Sequence, residues 1–74
     1  MYAVMILDSD RRLEEKPKFF EWRVDARAYA RTKVQSAEYA EIFDTDGLGK
    51  PGNEVLVKLI LTGNPIEKIG RSDA

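Results

Sequence analysis

The residue types that carry most enzyme chemistry are missing from this chain. Its 74 residues include no cysteine and no histidine, which excludes thiolate nucleophiles, disulfides, imidazole bases and the metal sites built from them. Acid–base chemistry would fall to neighbouring carboxylates, such as Glu14 with Glu15 or Asp44 with Asp46. Such pairs are usually solvated, and catalysis needs a shifted pKa in a cleft, for which a short chain leaves little room. We therefore expect no enzyme, no catalytic residue and no cofactor.

One loop has the beginning of a calcium site, Asp44-Thr-Asp-Gly47. An EF-hand needs an oxygen ligand at its fifth position and a glutamate at its twelfth. Counted from Asp44, these positions hold Leu48 and Val55, so ligands are missing where the ion needs them. The following Gly47-Leu-Gly-Lys50 lacks the spacing and the helix of a phosphate loop. We predict a turn between strands and no metal site.

Charge is segregated along the chain, although its formal net charge is only −1. Residues 11–33 hold eight bases and four acids, whereas residues 34–57 hold five acids and one base. This pattern predicts a basic stripe and an acidic loop as partner-binding surfaces, with an ordinary solvated helix face as the alternative. The basic stripe consists of Arg23, Arg27 and Arg31, and the acidic loop contributes Asp44, Asp46 and Glu54.

Bases and aromatic rings are interleaved in Lys18-Phe-Phe-Glu-Trp-Arg23, as on a platform that stacks nucleic-acid bases. In a strand, Phe20 and Trp22 would share the core-facing side, which leaves Phe19 as the one free ring. A net charge of −1 also gives little attraction to phosphate. We therefore expect a protein partner and keep nucleic-acid binding through the basic stripe as an alternative.

The elements that position these residues follow from changes in hydrophobic period. Alternating runs predict strands. A helix with Asp25 as its N-cap is predicted by one face of residues at helical spacing, namely Ala26, Tyr29, Ala30, Lys33, Val34 and Ala37. Val24 and Tyr29 fit a hydrophobic staple across that cap. The predicted elements are strands at 1–8, 18–24, 38–44 and 54–61, a helix at 26–36 and a tail at 62–74. The order β-β-α-β-β predicts one α+β domain, with one helix packed on a mainly antiparallel four-stranded sheet.

A single helix covers only one face of such a sheet. The other face would carry Met5 and Leu7 from the first strand and Leu56 and Ile60 from the fourth. Either residues 9–18 and the tail fold over this second face, or the face meets another chain, including a second copy of this one. In the latter case these four residues would bind the partner.

The segment from Val24 to Gly47 resembles a recurrent pattern in small, mostly uncharacterised bacterial and phage proteins. Its sequence is VDARAYARTKVQSAEYAEIFDTDG, an alanine-rich helix that leads through a short polar turn into a strand ending in Asp-x-Asp-Gly. In style the chain resembles small phage- or mobile-element-encoded ββαββ proteins, among them anti-CRISPR-like inhibitors. The resemblance implies a compact module that binds and occludes a larger host protein or defence complex in the host cytoplasm.

The sequence therefore leaves two candidate functions. The first is a non-enzymatic, phage-type inhibitor with a protein partner. The alternative is a homodimeric structural or regulatory module, with possible nucleic-acid binding through the basic stripe. The strongly apolar runs at 3–7 and 55–61 are far shorter than the ~20 residues of a membrane span, so we expect a soluble, cytoplasmic protein without membrane contact.

Overall fold

The structure is a computed structural model that describes residues 1–10, 12–34, 39–46 and 62–70. The elements in these ranges are β1 (Tyr2–Leu7), β2 (Lys18–Phe20), α1 (Arg23–Lys33), β3 (Tyr39–Asp44) and β4 (Glu67–Gly70). The strands form one antiparallel sheet in the order β2-β1-β3-β4. Helix α1 packs on one face of this sheet, which confirms the predicted α+β class.

The strand at the β3 edge of this sheet is not the predicted one. The predicted strand 54–61 lies outside the described residues, and β4 falls inside the predicted tail 62–74. Pairing begins where the backbone N–H of Ile66 donates to the carbonyl of Ile42 at 2.8 Å. Ile69 then packs against the core beneath the helix. A four-residue strand with one core-facing apolar residue carries too little alternation for sequence analysis to find.

The helix begins earlier than predicted, and its predicted cap is wrong. Trp22 is the N-cap, without a side-chain capping bond, and its carbonyl accepts the N–H of Ala26 at 3.2 Å. Asp25 lies in the first turn instead, where its charge favours the helix dipole. Val24 is 69% exposed, so it forms no hydrophobic staple. The predicted strand 18–24 ends at Phe20 because the chain turns into the helix there.

The core beneath the helix follows the predicted face of α1. Ala26, Ala30 and Val34 are buried against alternate residues of β1 and β3. The two alanines let the helix backbone approach the sheet closely, because each contributes only a methyl group to the helix side of the contact. The buried set is Val4, Ile6, Ala26, Ala30, Val34, Ala40 and Ile42, with Tyr2, Phe20, Tyr29 and Ile69 packed around it.

The second face of the sheet is also buried within a single chain. Met5 and Leu7 are each 0% exposed, and with Ala3 and Phe43 they form a second apolar cluster. Leu13 packs against this cluster, so the 9–18 segment contributes to the cover. The prediction that Met5 and Leu7 contact a partner is therefore wrong in this structure. Leu56 and Ile60 lie outside the described residues.

A bulge lies between the two paired parts of the β1–β2 hairpin. Leu7 pairs with Leu13 and Val4 pairs with Lys18. The chain therefore advances three residues along β1 between these two pairs but five residues along the opposite strand. The two extra residues form an excursion from the ladder, as in a β-bulge. Pro17 suits this segment because it has no N–H to pair. The excursion carries Glu15 toward the helix, where its carboxylate meets α1.

Candidate functional site

Glu67 on β4 holds the side of α1 that faces that strand. Arg27 donates from Nε to Glu67 Oε1 at 2.9 Å and from Nη2 to Oε2 at 3.2 Å. Arg23 donates from Nε to Glu67 Oε2 at 3.1 Å. The two arginines reach one carboxylate because residues four apart lie on the same side of a helix. We call Arg23, Arg27 and Glu67 the β4 clamp.

The β4 clamp compensates part of the charge predicted for the basic stripe. Burial raises the pKa of Glu67, but the hydrogen bonds and charges of Arg27 and Arg23 outweigh it, so this pKa lies below the ordinary 4.5. Glu67 therefore stays ionised at neutral pH and neutralises part of the arginine charge. Arg31 is exposed, and the described residues offer it no ion pair. In the basic stripe, Arg23 and Arg27 are thus paired with Glu67, and Arg31 has no ion pair to a described residue.

A second carboxylate holds the opposite side of α1. The hydroxyl of Tyr29 donates to Glu15 Oε1, and Lys33 Nζ lies 3.3 Å from Glu15 Oε2. Phe20 on β2 packs against the Tyr29 ring with centroids 5.3 Å apart, and Lys18 Nζ lies 5.1 Å from the Tyr29 centroid. We call Glu15, Tyr29 and Lys33 the β2 clamp.

The protonation states of the β2 clamp are those of a structural tie. Burial, together with the hydrogen bond to Glu15 and its charge, raises the pKa of Tyr29 to about 12. The hydrogen bond from Tyr29 lowers the pKa of Glu15, aided by Lys33 and Lys18 against the opposing effect of burial. At neutral pH the phenol stays protonated and the carboxylate stays ionised. Neither group is then poised to exchange a proton with a substrate.

Between the clamps, the start of α1 leaves large apolar side chains in solvent. Trp22 is 63% exposed and Val24 is 69% exposed. Glu21 and Asp25 flank them and are exposed too, and no described residue gives either carboxylate a salt bridge or side-chain hydrogen bond. Trp22 is the N-cap residue with extended backbone, and Val24 and Asp25 lie in the helical turn that follows it. We call Glu21, Trp22, Val24 and Asp25 the helix-start surface.

Asp44 and Asp46 of the predicted acidic loop make contacts within their own chain. Asp44 Oδ1 accepts the backbone N–H of Asp46 at 3.0 Å. Asp46 Oδ1 in turn pairs with the ammonium of Met1 at 3.0 Å. Tyr2 is in register with both Phe20 and Asp44, which places this loop at the same end of the sheet as the helix start. Glu54, the third predicted member, lies outside the described residues.

Among the described residues, two other large apolar side chains are exposed, but they do not join the helix-start surface. Met1 is 45% exposed and Ile66 is 39% exposed. Their neighbours Tyr2 and Glu67 contact the helix side of the sheet. Because strand side chains alternate between faces, Met1 and Ile66 belong to the opposite face. Ile66 is therefore a useful control position for the helix-start surface.

Sequence reasoning missed Trp22 and Glu67 as the residues that define this region. It placed Trp22 on the core face of a strand that ends at Phe20, and it placed Glu67 in a tail. The four-residue spacing of Arg23, Arg27 and Arg31 is the signal that extends the helix back to Arg23. That extension alone turns Trp22 from a strand residue into a helix cap.

Comparisons with known proteins add no relative to this geometry. No protein-family model, curated protein or solved structure matches the chain significantly. In the described ranges, no three acidic side chains lie close enough to hold a metal ion. Over the same ranges, no helix is long and apolar enough to cross a membrane. The helix-start surface is the feature left for a functional interpretation.

Proposed function

We propose that this chain is a non-enzymatic binding protein that recognises a partner protein through the helix-start surface. The observation that carries the proposal is the exposure of the chain's only tryptophan, Trp22, at 63%. Tryptophan is among the residues most enriched at the energetic centres of protein interfaces. Val24, exposed at 69%, is a second exposed apolar side chain at the same end of the helix. Burial of such side chains contributes roughly 1.5–3 kcal/mol each when they leave water completely.

The two clamps support the proposal because they fix the element that presents Trp22. Glu67 ties one side of α1 to β4, and Glu15 ties the other side to the β1–β2 excursion. Ala26 and Ala30 anchor the helix against the sheet between them. A surface on a fixed element loses less conformational entropy on association than one on a loop. The partner would therefore meet an ordered apolar projection.

Inhibition by occlusion is the consequence of binding that we propose. It rests on the resemblance of residues 24–47 to small phage-encoded proteins. Homodimerisation and nucleic-acid binding through the basic stripe remain the competing functions. The pairing of Arg23 and Arg27 with Glu67 does not favour nucleic-acid binding, because it reduces the positive charge that the basic stripe offers to phosphate.

Affinity capture with matched variants tests the binding proposal. The double variant W22A/V24S removes the apolar projection, and I66S removes an exposed apolar side chain from the opposite face. We expect the wild-type chain and I66S to retain the same protein from a host lysate at a fixed stoichiometry. W22A/V24S should lose it while its unfolding transition stays unchanged.

Three results would contradict the binding proposal. Retention of the same protein by all three chains would remove the helix-start surface from recognition. Recovery of a second copy of the chain alone, with a dimeric mass in solution, would favour the structural module. Recovery of nucleic acid that depends on Arg31 would favour the basic stripe instead.

A further inference from the structure

We infer that the helix-start surface accepts a lysine- or arginine-bearing apolar segment of its partner; this inference rests on the proposed function and specifies the partner's chemistry. An exposed indole face attracts a cationic side chain more strongly than phenyl or phenol faces do. Trp22 is 63% exposed, and Val24 is a second exposed apolar side chain in the turn that follows it. A segment with both apolar and cationic side chains can use the two together.

The charges around the ring point to the same partner. Glu21 precedes Trp22 directly, and Asp25 follows it by about one turn of helix. Both carboxylates are exposed, and neither has a salt bridge within the described part of the chain. Arg23 and Arg27 share the single charge of Glu67, so the β4 clamp adds one net positive charge, and the helix N-terminus adds about half of one. The two carboxylates together carry more charge than that. The outer side of the helix start is therefore acidic at neutral pH.

Glu67 contributes to this preference by holding the nearest cations. Arg23 and Arg27 lie on the side of the helix that faces β4, with Nε atoms 3.1 and 2.9 Å from Glu67 oxygens. Without that carboxylate, two uncompensated guanidinium groups would stand beside the helix-start surface and repel a basic segment. In this account Glu67 acts as a positioning residue, because it determines where the arginine charge lies without contacting the partner.

Two synthetic amphipathic peptides test the inference in the intact chain. They share the same leucine positions and differ only in having lysine or glutamate at the polar positions. Trp22 fluorescence reports binding directly because the chain has no other tryptophan. We expect the lysine peptide to bind about tenfold more tightly than the glutamate peptide, from two ion pairs and one cation–π contact. Added salt should reduce this difference.

Matched charge variants separate local recognition from general electrostatic attraction. E21Q/D25N neutralises the helix-start surface, and D10N/E14Q removes the same charge from exposed positions at the other end of the sheet. We expect E21Q/D25N to abolish the preference for lysine, and D10N/E14Q to retain it. E67Q should reduce the preference as well, because it releases Arg23 and Arg27.

The outcomes that overturn this inference differ from those that overturn the proposed function. Equal affinity for the two peptides, or equal losses in E21Q/D25N and D10N/E14Q, would show that no local acidic recognition exists. Tighter binding of the glutamate peptide, abolished by W22A/V24S in calorimetry, would reject the basic partner but leave the surface proposal intact. Unchanged capture of the natural partner by W22A/V24S would instead reject the surface itself.

Discussion

The flanks of α1 and its first turn use the same residue types in opposite ways. On the flanks, Glu67 and Glu15 each hold two side chains of the helix. At the helix start, Glu21 and Asp25 have no salt bridge to any described residue, and Trp22 is mostly exposed to solvent. The difference separates groups that stabilise the fold from groups that remain available for association. Substitutions in the two regions should therefore affect different properties of the chain.

The largest expected contrast is between two aromatic rings of the same helix region. Tyr29 packs on Phe20 and donates a hydrogen bond to Glu15, whereas Trp22 is mostly exposed. We expect Tyr29→Ala to lower the free energy of unfolding by about 2 kcal/mol. Trp22→Ala should change it by less than about 0.5 kcal/mol. Urea denaturation followed by circular dichroism measures both; similar losses in the two variants would contradict the contrast.

A smaller contrast separates two glutamates. Glu67→Gln keeps the shape of the side chain but removes the charge that holds Arg23 and Arg27, and we expect a loss of about 1 kcal/mol in unfolding free energy. Glu21→Gln should leave the unfolding midpoint unchanged, because the described structure gives Glu21 no ion pair. A midpoint shift as large in Glu21→Gln as in Glu67→Gln would mean that the clamp geometry is not what stabilises the helix.

Acid should weaken the two clamps in a defined direction. The pKa values of Glu15 and Glu67 are both lowered in the fold from the ordinary 4.5. Their contribution to stability is therefore complete above the unfolded value and is lost as pH falls through the folded values. We expect the wild-type unfolding midpoint to fall below about pH 4.5 more steeply than that of E15Q/E67Q. Parallel curves for the two chains would contradict this account.

Alkali gives the mirror-image prediction for Tyr29. Its pKa is raised from 10.0 to about 12, so the folded state holds the phenol proton more tightly than the unfolded state. Its contribution to stability is complete below the ordinary value and is lost as pH rises through the folded value. A phenolate absorbance titration should contain one group near this pKa that Tyr29→Phe removes. Titration of every tyrosine near the ordinary value would show that the contact with Glu15 is not formed.

The helix face and fold class could be predicted because several residues carry the same signal. Ala26, Ala30 and Val34 recur at helical spacing, and all three are buried as predicted. The element ends could not, because they depend on long-range partners. The helix begins at Arg23, whose partner Glu67 lies 44 residues away. Hydrophobic period places Met5 and Leu7 on the second face, but it does not decide whether their own chain or a partner covers them.

The candidate surface shows the same limit more sharply. Tryptophan is a residue type that sequence analysis expects in a core. Trp22 is exposed because β2 ends at Phe20 and does not include it. The basic stripe differs from its prediction in charge pairing. The local sequence gives Arg23 and Arg27 no carboxylate partner, but in the fold both pair with Glu67. Exposure and charge compensation are properties of contacts between distant segments, so neither can be obtained from local pattern.

Ionic quenching of Trp22 fluorescence tests the central claim most directly, since it measures both exposure and local charge at a single ring. The quenching efficiency of each ion is expressed relative to its quenching of tryptophan amide in solution. On this scale the account predicts that caesium quenches Trp22 in the native chain more efficiently than iodide does. E21Q/D25N should remove that difference, and D10N/E14Q should keep it. Poor quenching by both ions would show that Trp22 is covered, and stronger quenching by iodide would show that its surroundings are basic; either result would contradict the account.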